Sequence, residues 1–248
     1  MRYLKQYGLE RSGTNYIAAV IESCFEQVKV LVNVLGWKHG DPGDPEWDSS
    51  LWHRKGTKGT VSVPKEPLVS NEEFVQIRAA HESGRLGYIL CVKDPYSWIK
   101  SINQFRIKFG KSGGVQKVSD IAEEVVRNDC LVWAIMANKY LNFSRISLSF
   151  IANYEKAIFS GHEFIRDLCK KLTLSVKSEQ ALSFSRCFAY GGDNHKFSFS
   201  KSEFNPELYT HDAVSDFIGR RVCGIIDELI PQNLMDSIGC DITEGVKK

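Results

Sequence analysis

The chain predicts an α/β domain: a central, mainly parallel sheet with helices on both faces. Three observations carry that prediction. Apolar, β-rich runs recur at residues 3–9, 28–35, 88–92 and 146–152, and the run 88–92 is apolar throughout, as a strand covered on both faces requires. Segments with helical spacing separate or follow them, at 15–25, 71–82, 120–143, 163–174 and 212–229. No linker-like stretch divides the 248 residues, so residues 1–248 read as one domain with a loop-rich insertion at about 40–85.

The first strand, Tyr3 to Leu9, runs into Gly8-Leu9-Glu10-Arg11-Ser12-Gly13-Thr14-Asn15-Tyr16, and a helical run from Asn15 to Phe25 follows. Strand, glycine-bearing turn and helix start together offer backbone N–H groups and a positive helix end to an anion. The nucleoside-triphosphate version of such a loop ends in lysine and a hydroxyl residue, for the terminal phosphates and magnesium. Thr14 and Asn15 stand there instead. The loop keeps a phosphate cradle and lacks the equipment for transferring a nucleotide's terminal phosphate through magnesium.

The second run, Val28 to Leu35, leads into Gly36-Trp37-Lys38-His39-Gly40. A histidine at the carboxyl end of a strand in an α/β sheet stands where ligands bind. With an ordinary pKa near 6.5, His39 is suited to accept a proton. Residues 40 to 85 open with the turn-rich Gly40-Asp41-Pro42-Gly43-Asp44-Pro45 and then carry Trp47, Trp52, His53, Arg54, Lys55 and Lys58. Only 71–82 reads as helix there, capped by Ser70 or Asn71. An insertion leaving the sheet beside His39 is placed to cover an acceptor, and its tryptophans and cations suit an anionic saccharide.

Strand 88–92 is followed by Lys93-Asp94-Pro95, with Ser101 eight residues after Lys93. A basic residue leaving a strand end and a serine on the first turns of the next helix can converge on one anion, and a plain strand-turn-helix with Pro95 at the helix start has the same pattern. The run 146–152 ends in Asn153-Tyr154-Glu155. The helical runs 120–143, 163–174 and 212–229 read as packing elements, and 110–114 as a flexible glycine-bearing site.

Composition bounds the rest. An apolar fraction of 43% and five tryptophans supply a sizeable core. The formal net charge of +2 implies no general affinity for nucleic acid or membrane. Seven cysteines without a Cys-x-x-Cys or a Cys/His cluster suggest neither a zinc site nor a disulfide framework. No apolar run reaches membrane-spanning length, and no signal segment precedes the first strand. The expectation is a cytoplasmic protein.

Two of these motifs together resemble the sulfotransferase family. Its loop runs Lys or Arg, Ser-Gly-Thr, Thr or Ser, then an aromatic, and Arg11-Ser12-Gly13-Thr14-Asn15-Tyr16 is similar, with Asn15 in place of a hydroxyl and Glu10 in place of the usual proline. Lys93-Asp94-Pro95 with Ser101 resembles its 3′-phosphate motif, with lysine where arginine is usual. Lys38-His39 is similar to the lysine and catalytic histidine ending its second strand, and Tyr154-Glu155 to a late Tyr-Glu. The resemblance implies a P-loop NTPase-like sulfotransferase fold. It also implies sulfuryl transfer from 3′-phosphoadenosine 5′-phosphosulfate to a hydroxyl or amine acceptor, a small molecule or saccharide, without a metal. Arg11 and the N–H groups of residues 12 to 16 would hold the 5′-phosphosulfate, Lys93 and Ser101 the 3′-phosphate, and Tyr154 the adenine end. Lys38 would assist and His39 would be the general base, with Glu10 or Glu46 as the carboxylate alternative. Ser183-Phe184 weakly resembles a further adenine-side segment. The family's late basic loop has no match, unless His195-Lys196 replaces it. Two other readings stay open: a P-loop kinase or nucleotide hydrolase with an atypical loop, and a catalytically silent nucleotide-binding protein.

Overall fold

The computed structural model describes residues 2–31, 34–45, 69–177, 186–190, 197–203 and 206–240. Four strands form an all-parallel sheet in the order β2-β1-β3-β4, with β1 at Arg2–Gly8, β2 at Val28–Leu31, β3 at Gly87–Val92 and β4 at Ser149–Asn153. Two further strands, β5 (Arg186–Tyr190) and β6 (Phe197–Glu203), pair antiparallel as a separate ribbon. The central strands β1 and β3 are buried along nearly their whole length, which is why their sequence reads as a continuous apolar run rather than an alternation.

The helices divide between two faces. Helix α1 (Thr14–Cys24) and, after β4, α5 (Tyr154–Phe159) and α6 (Gly161–Leu172) bury one face, where Leu4, Ile89 and Ala152 meet Ile17, Ile21, Phe164 and Leu168. Helices α2 (Asn71–Glu82), α3 (Pro95–Lys108) and α4 (Glu123–Ile146) cover the other with α7 (His211–Ile218), α8 (Arg220–Leu229) and α9 (Gln232–Ser237). Connections between parallel strands are right-handed. The step β1 to β2 runs one way across the sheet, and the steps to β3 and β4 run the other. Right-handedness therefore puts α1 on one face and α2 to α4 on the opposite one. The direction reverses between β1 and β3, which makes the crevice at their carboxyl ends the topological switch point.

Local signals explain most boundaries. Ser70 and Glu73 form a reciprocal capping box at the start of α2. Asp94 accepts from the N–H groups of Tyr96 and Ser97, ahead of Pro95 at the first position of α3, an arrangement worth about 1 kcal/mol. Three expectations need correction. The strand expected over 146–152 begins only at Ser149, because α4 extends to Ile146. The strand expected over 28–35 is described only to Leu31. The single helix expected over 212–229 is two helices, broken at Gly219 with φ of 82°. Residues 46–68, with Glu46, Trp47, Trp52 and the basic cluster, lie outside the described residues, as do Ser183-Phe184 and His195-Lys196.

Candidate functional site

At the switch point the chain turns back on itself immediately after β1. A Cβ on Gly8 would lie 2.6 Å from Ser12 Oγ and 2.8 Å from Cys91 Cβ, so only glycine lets the loop fold over the end of β3. Gly13 caps α1 at φ 81° with no side-chain cap bond, and a Cβ there would sit 2.1 Å from the Tyr154 ring. The first-turn N–H groups of Thr14 and Asn15 therefore have no acceptor within their helix, at its positive end. Buried Gln6 braces this turn from the strand, donating to Thr14 O at 2.8 Å. Arg11, exposed and itself in the left-handed region at φ 67°, lies over the Phe105 ring at 5.4 Å. Glu10 O accepts from Trp98 Nε1 at 2.7 Å, tying the loop to α3.

Ser12 is placed differently from the rest. Its N–H donates to Leu9 O at 3.1 Å. Its hydroxyl is buried without a partner among the described residues, beside a water-sized cavity of about 10 Å³ that Lys93, Trp98 and Tyr140 also line.

Lys38 and His39 stand beyond the described end of β2, so their position is set by two side chains of β1. Fully buried Lys5 donates to Gly36 O at 2.7 Å, and Tyr7 OH to Leu35 O at 2.9 Å. Gly8 N donates to Lys38 O at 2.8 Å, which ties the 34–39 loop to the turn after β1. Lys38 Nζ donates to Asn15 Oδ1 at 2.5 Å. His39 Nδ1 lies 2.5 Å from Gly8 O. A carbonyl only accepts, so Nδ1 carries the hydrogen and Nε2 keeps its lone pair. Burial pushes the His39 pKa below its ordinary value, and Lys38 is lowered for the same reason. His39 is thus neutral near pH 7, the form a base requires. Glu10 is close enough to act on both groups electrostatically. Exposed Trp37 meets the His39 ring edge-on at 4.7 Å.

Across the crevice, Lys93 Nζ donates to Ser101 Oγ at 2.8 Å, closing the pair that the spacing predicts. The ammonium lies 4.6 Å from the Tyr154 ring and 4.9 Å from that of Tyr209, on the 3-10 turn Pro206–Tyr209. Only 4% of Lys93 is exposed, and desolvation pushes its pKa down to about 8. Tyr154 also meets Tyr16 at 5.5 Å and Tyr209 at 5.6 Å, in edge-on contacts. Beneath the lysine, Asp94 N donates to Glu155 Oε2 at 3.0 Å. Desolvation raises both carboxyls, and in Asp94 the charge of Glu155 adds to the effect. Lys100 Nζ donates to Leu208 O at 3.0 Å, and Arg11 and Lys100 both repel Lys93.

One crevice thus gathers Arg11, Gly13, Thr14, Asn15, Tyr16, Lys38, His39, Lys93, Ser101 and Tyr154. Sequence reasoning missed Lys5, Trp98, Tyr209 and the contact between Asp94 and Glu155, although both carboxylates stand in motifs that the sequence displays. A lysine inside an apolar strand run was the available signal for Lys5, and an aspartate directly before a helix-starting proline for Asp94. Tyr209 is joined to the site, and Glu155 to Asp94, only by the fold. No group of three or more metal-ligating side chains occurs among the described residues. No family model, curated protein or solved structure matches the chain.

Proposed function

We propose that this protein transfers a sulfuryl group from 3′-phosphoadenosine 5′-phosphosulfate to a hydroxyl or amine acceptor. One observation carries the reading: an anion-binding turn, a phosphate-type Lys93–Ser101 pair and a histidine anchored through Nδ1 to Gly8 O converge on the switch-point crevice. The nucleotide supplies an activated sulfuryl group joined to its 5′-phosphate. The N–H groups of Thr14 and Asn15, with Arg11 and Lys38, offset charge developing on the bridging oxygen. Arginine cannot give up a proton, so its part is electrostatic. His39 Nε2 takes the acceptor's proton, and Gly8 O fixes the tautomer that allows it. As in phosphoryl transfer, positioning and charge neutralisation dominate.

Lys93 and Ser101 fit a 3′-phosphate in chemistry, and the enclosure of Lys93 adds a condition. An anion that reaches the ammonium competes with its contacts to Ser101 and to the Tyr154 and Tyr209 rings. That enclosure favours one other reading, a nucleotide-binding protein without turnover. Incubation with radiolabelled donor and a panel of phenol, amine and saccharide acceptors separates the two. Labelled product that disappears in His39→Ala supports transfer, whereas tight nucleotide binding with no product for any acceptor supports the silent reading.

A further inference from the structure

Among the described residues the sheet ends at β4, which pairs only with β3. Tyr88 N donates to Leu148 O. By the two-residue alternation of a parallel ladder, the even-numbered backbone groups then turn inward, and those of Ser149 and Ile151 face out. A groove of about 540 Å³ runs along this edge. Its floor is Ser149, Phe150 and Ile151, one bank is Ser144 of α4, and the other is Asp167, Lys170 and Lys171 of α6. Phe150 and Ile151 are only half-buried, and the buried Ser149 Oγ has no partner among the described residues. The β5–β6 ribbon packs at α1 instead.

Exposed parallel edges invite an added strand unless charge or covering prevents it. The charge here selects the occupant. Asp167 is neutralised by Lys156 Nζ at 2.8 Å, while exposed Lys170 and Lys171 form no ion pair among the described residues. The bank facing an incoming strand is therefore cationic. A second copy joined antiparallel at β4 would be related by a two-fold axis through the sheet. That operation sets the Lys170–Lys171 banks side by side, where like charges repel. We infer that the β4 edge docks an extended acidic segment of a different protein, adding a fifth parallel-sheet strand, with apolar residues against Phe150 and Ile151 and carboxylates toward Lys170 and Lys171. Five residues span roughly 17 Å, so the recognised stretch is short.

The test is selection of a random octapeptide display library on the full chain. The expected consensus alternates β-branched residues with Asp or Glu. Its synthetic peptide should bind Lys170→Glu/Lys171→Glu about tenfold more weakly, and N-methylation of every second residue should abolish binding. Both lysines are exposed, so the variant keeps its fold, as circular dichroism should verify. A second route is amide chemical-shift change centred on Ser149 and Ile151 when peptide is added. Absence of any enriched peptide, equal binding to the charge-reversed protein, or a self-association that the peptide competes away would overturn the proposal.

Discussion

The two banks of the switch-point crevice solve the same problem in opposite ways. Both place a lysine after a strand, Lys38 donating to Asn15 at the start of α1 and Lys93 to Ser101 on α3. On the β2 side the lysine and its neighbouring histidine ride on a loop, held from outside by Lys5 and Tyr7 through backbone carbonyls. His39 and Lys38 remain partly exposed. On the β3 side Lys93 is enclosed by Ser101, Tyr154 and Tyr209 above a buried carboxyl pair. In the proposed reaction the open bank lets an acceptor approach His39. A closed bank gives strong electrostatic interaction in low dielectric, with the Tyr154 and Tyr209 rings packed against the ammonium. Under the proposed function the difference amounts to a division of labour, with chemistry on the open side and anchoring on the closed one.

The largest expected effect breaks the open bank. His39→Ala should lower turnover by about 10²- to 10⁴-fold while leaving adenosine 3′,5′-bisphosphate affinity near wild type, read by product assay and calorimetry. Because burial lowers the His39 pKa, the ascending limb of the activity profile should lie below pH 6.5, the ordinary histidine value, and vanish in the variant. Near-normal turnover in His39→Ala would move the base to Glu10, which stands beside it.

Next comes the closed bank. Lys93→Ala and Ser101→Ala should each weaken the bisphosphate by about 1–3 kcal/mol and hardly change binding of adenosine 5′-phosphate. Equal losses for both nucleotides would contradict the phosphate assignment. Lys93 also carries a stability signature. Its folded pKa of about 8 lies below the ordinary 10.5, so the unfolded chain holds the proton more tightly between those values. Stability should therefore rise with pH from about 8 to 10.5, and Lys93→Met should flatten that rise in thermal melts.

Smaller effects sharpen the contrast. Lys5→Met should loosen the 34–39 loop and cost about tenfold in turnover, roughly 1.4 kcal/mol, with nucleotide affinity unchanged. Tyr209→Ala should speed bisphosphate association a few-fold in stopped flow. An unchanged association rate would mean that the ring does not cover the route to Lys93.

What the sequence discloses follows the same contrast. The closed bank was legible because its parts are local: an uninterrupted apolar strand, a lysine at its end, and a serine two turns into the next helix. The phosphate turn was legible for the same reason. The open bank was only half legible. Lys38 and His39 stood out, but a strand end was expected to hold them. The carrier is instead a loop fastened by Lys5, whose burial no alternation pattern reveals. The Asp94–Glu155 contact joins residues on different strands' ends, and spacing is silent about such pairs. The merged helix at 212–229 failed for a simpler cause, since apolar periodicity continues across Gly219 while the backbone does not.

The central claim is that the crevice is built for a nucleotide bearing a 3′-phosphate, and ligand-induced thermal stabilisation tests it most directly. Adenosine 3′,5′-bisphosphate at about 100 times its dissociation constant should add about 2.7 kcal/mol of stability. Adenosine 5′-phosphate and ATP with magnesium, at the same concentration, should add far less, and the difference should disappear in Lys93→Ala. Stabilisation by ATP with magnesium that equals or exceeds that by the bisphosphate would contradict the account.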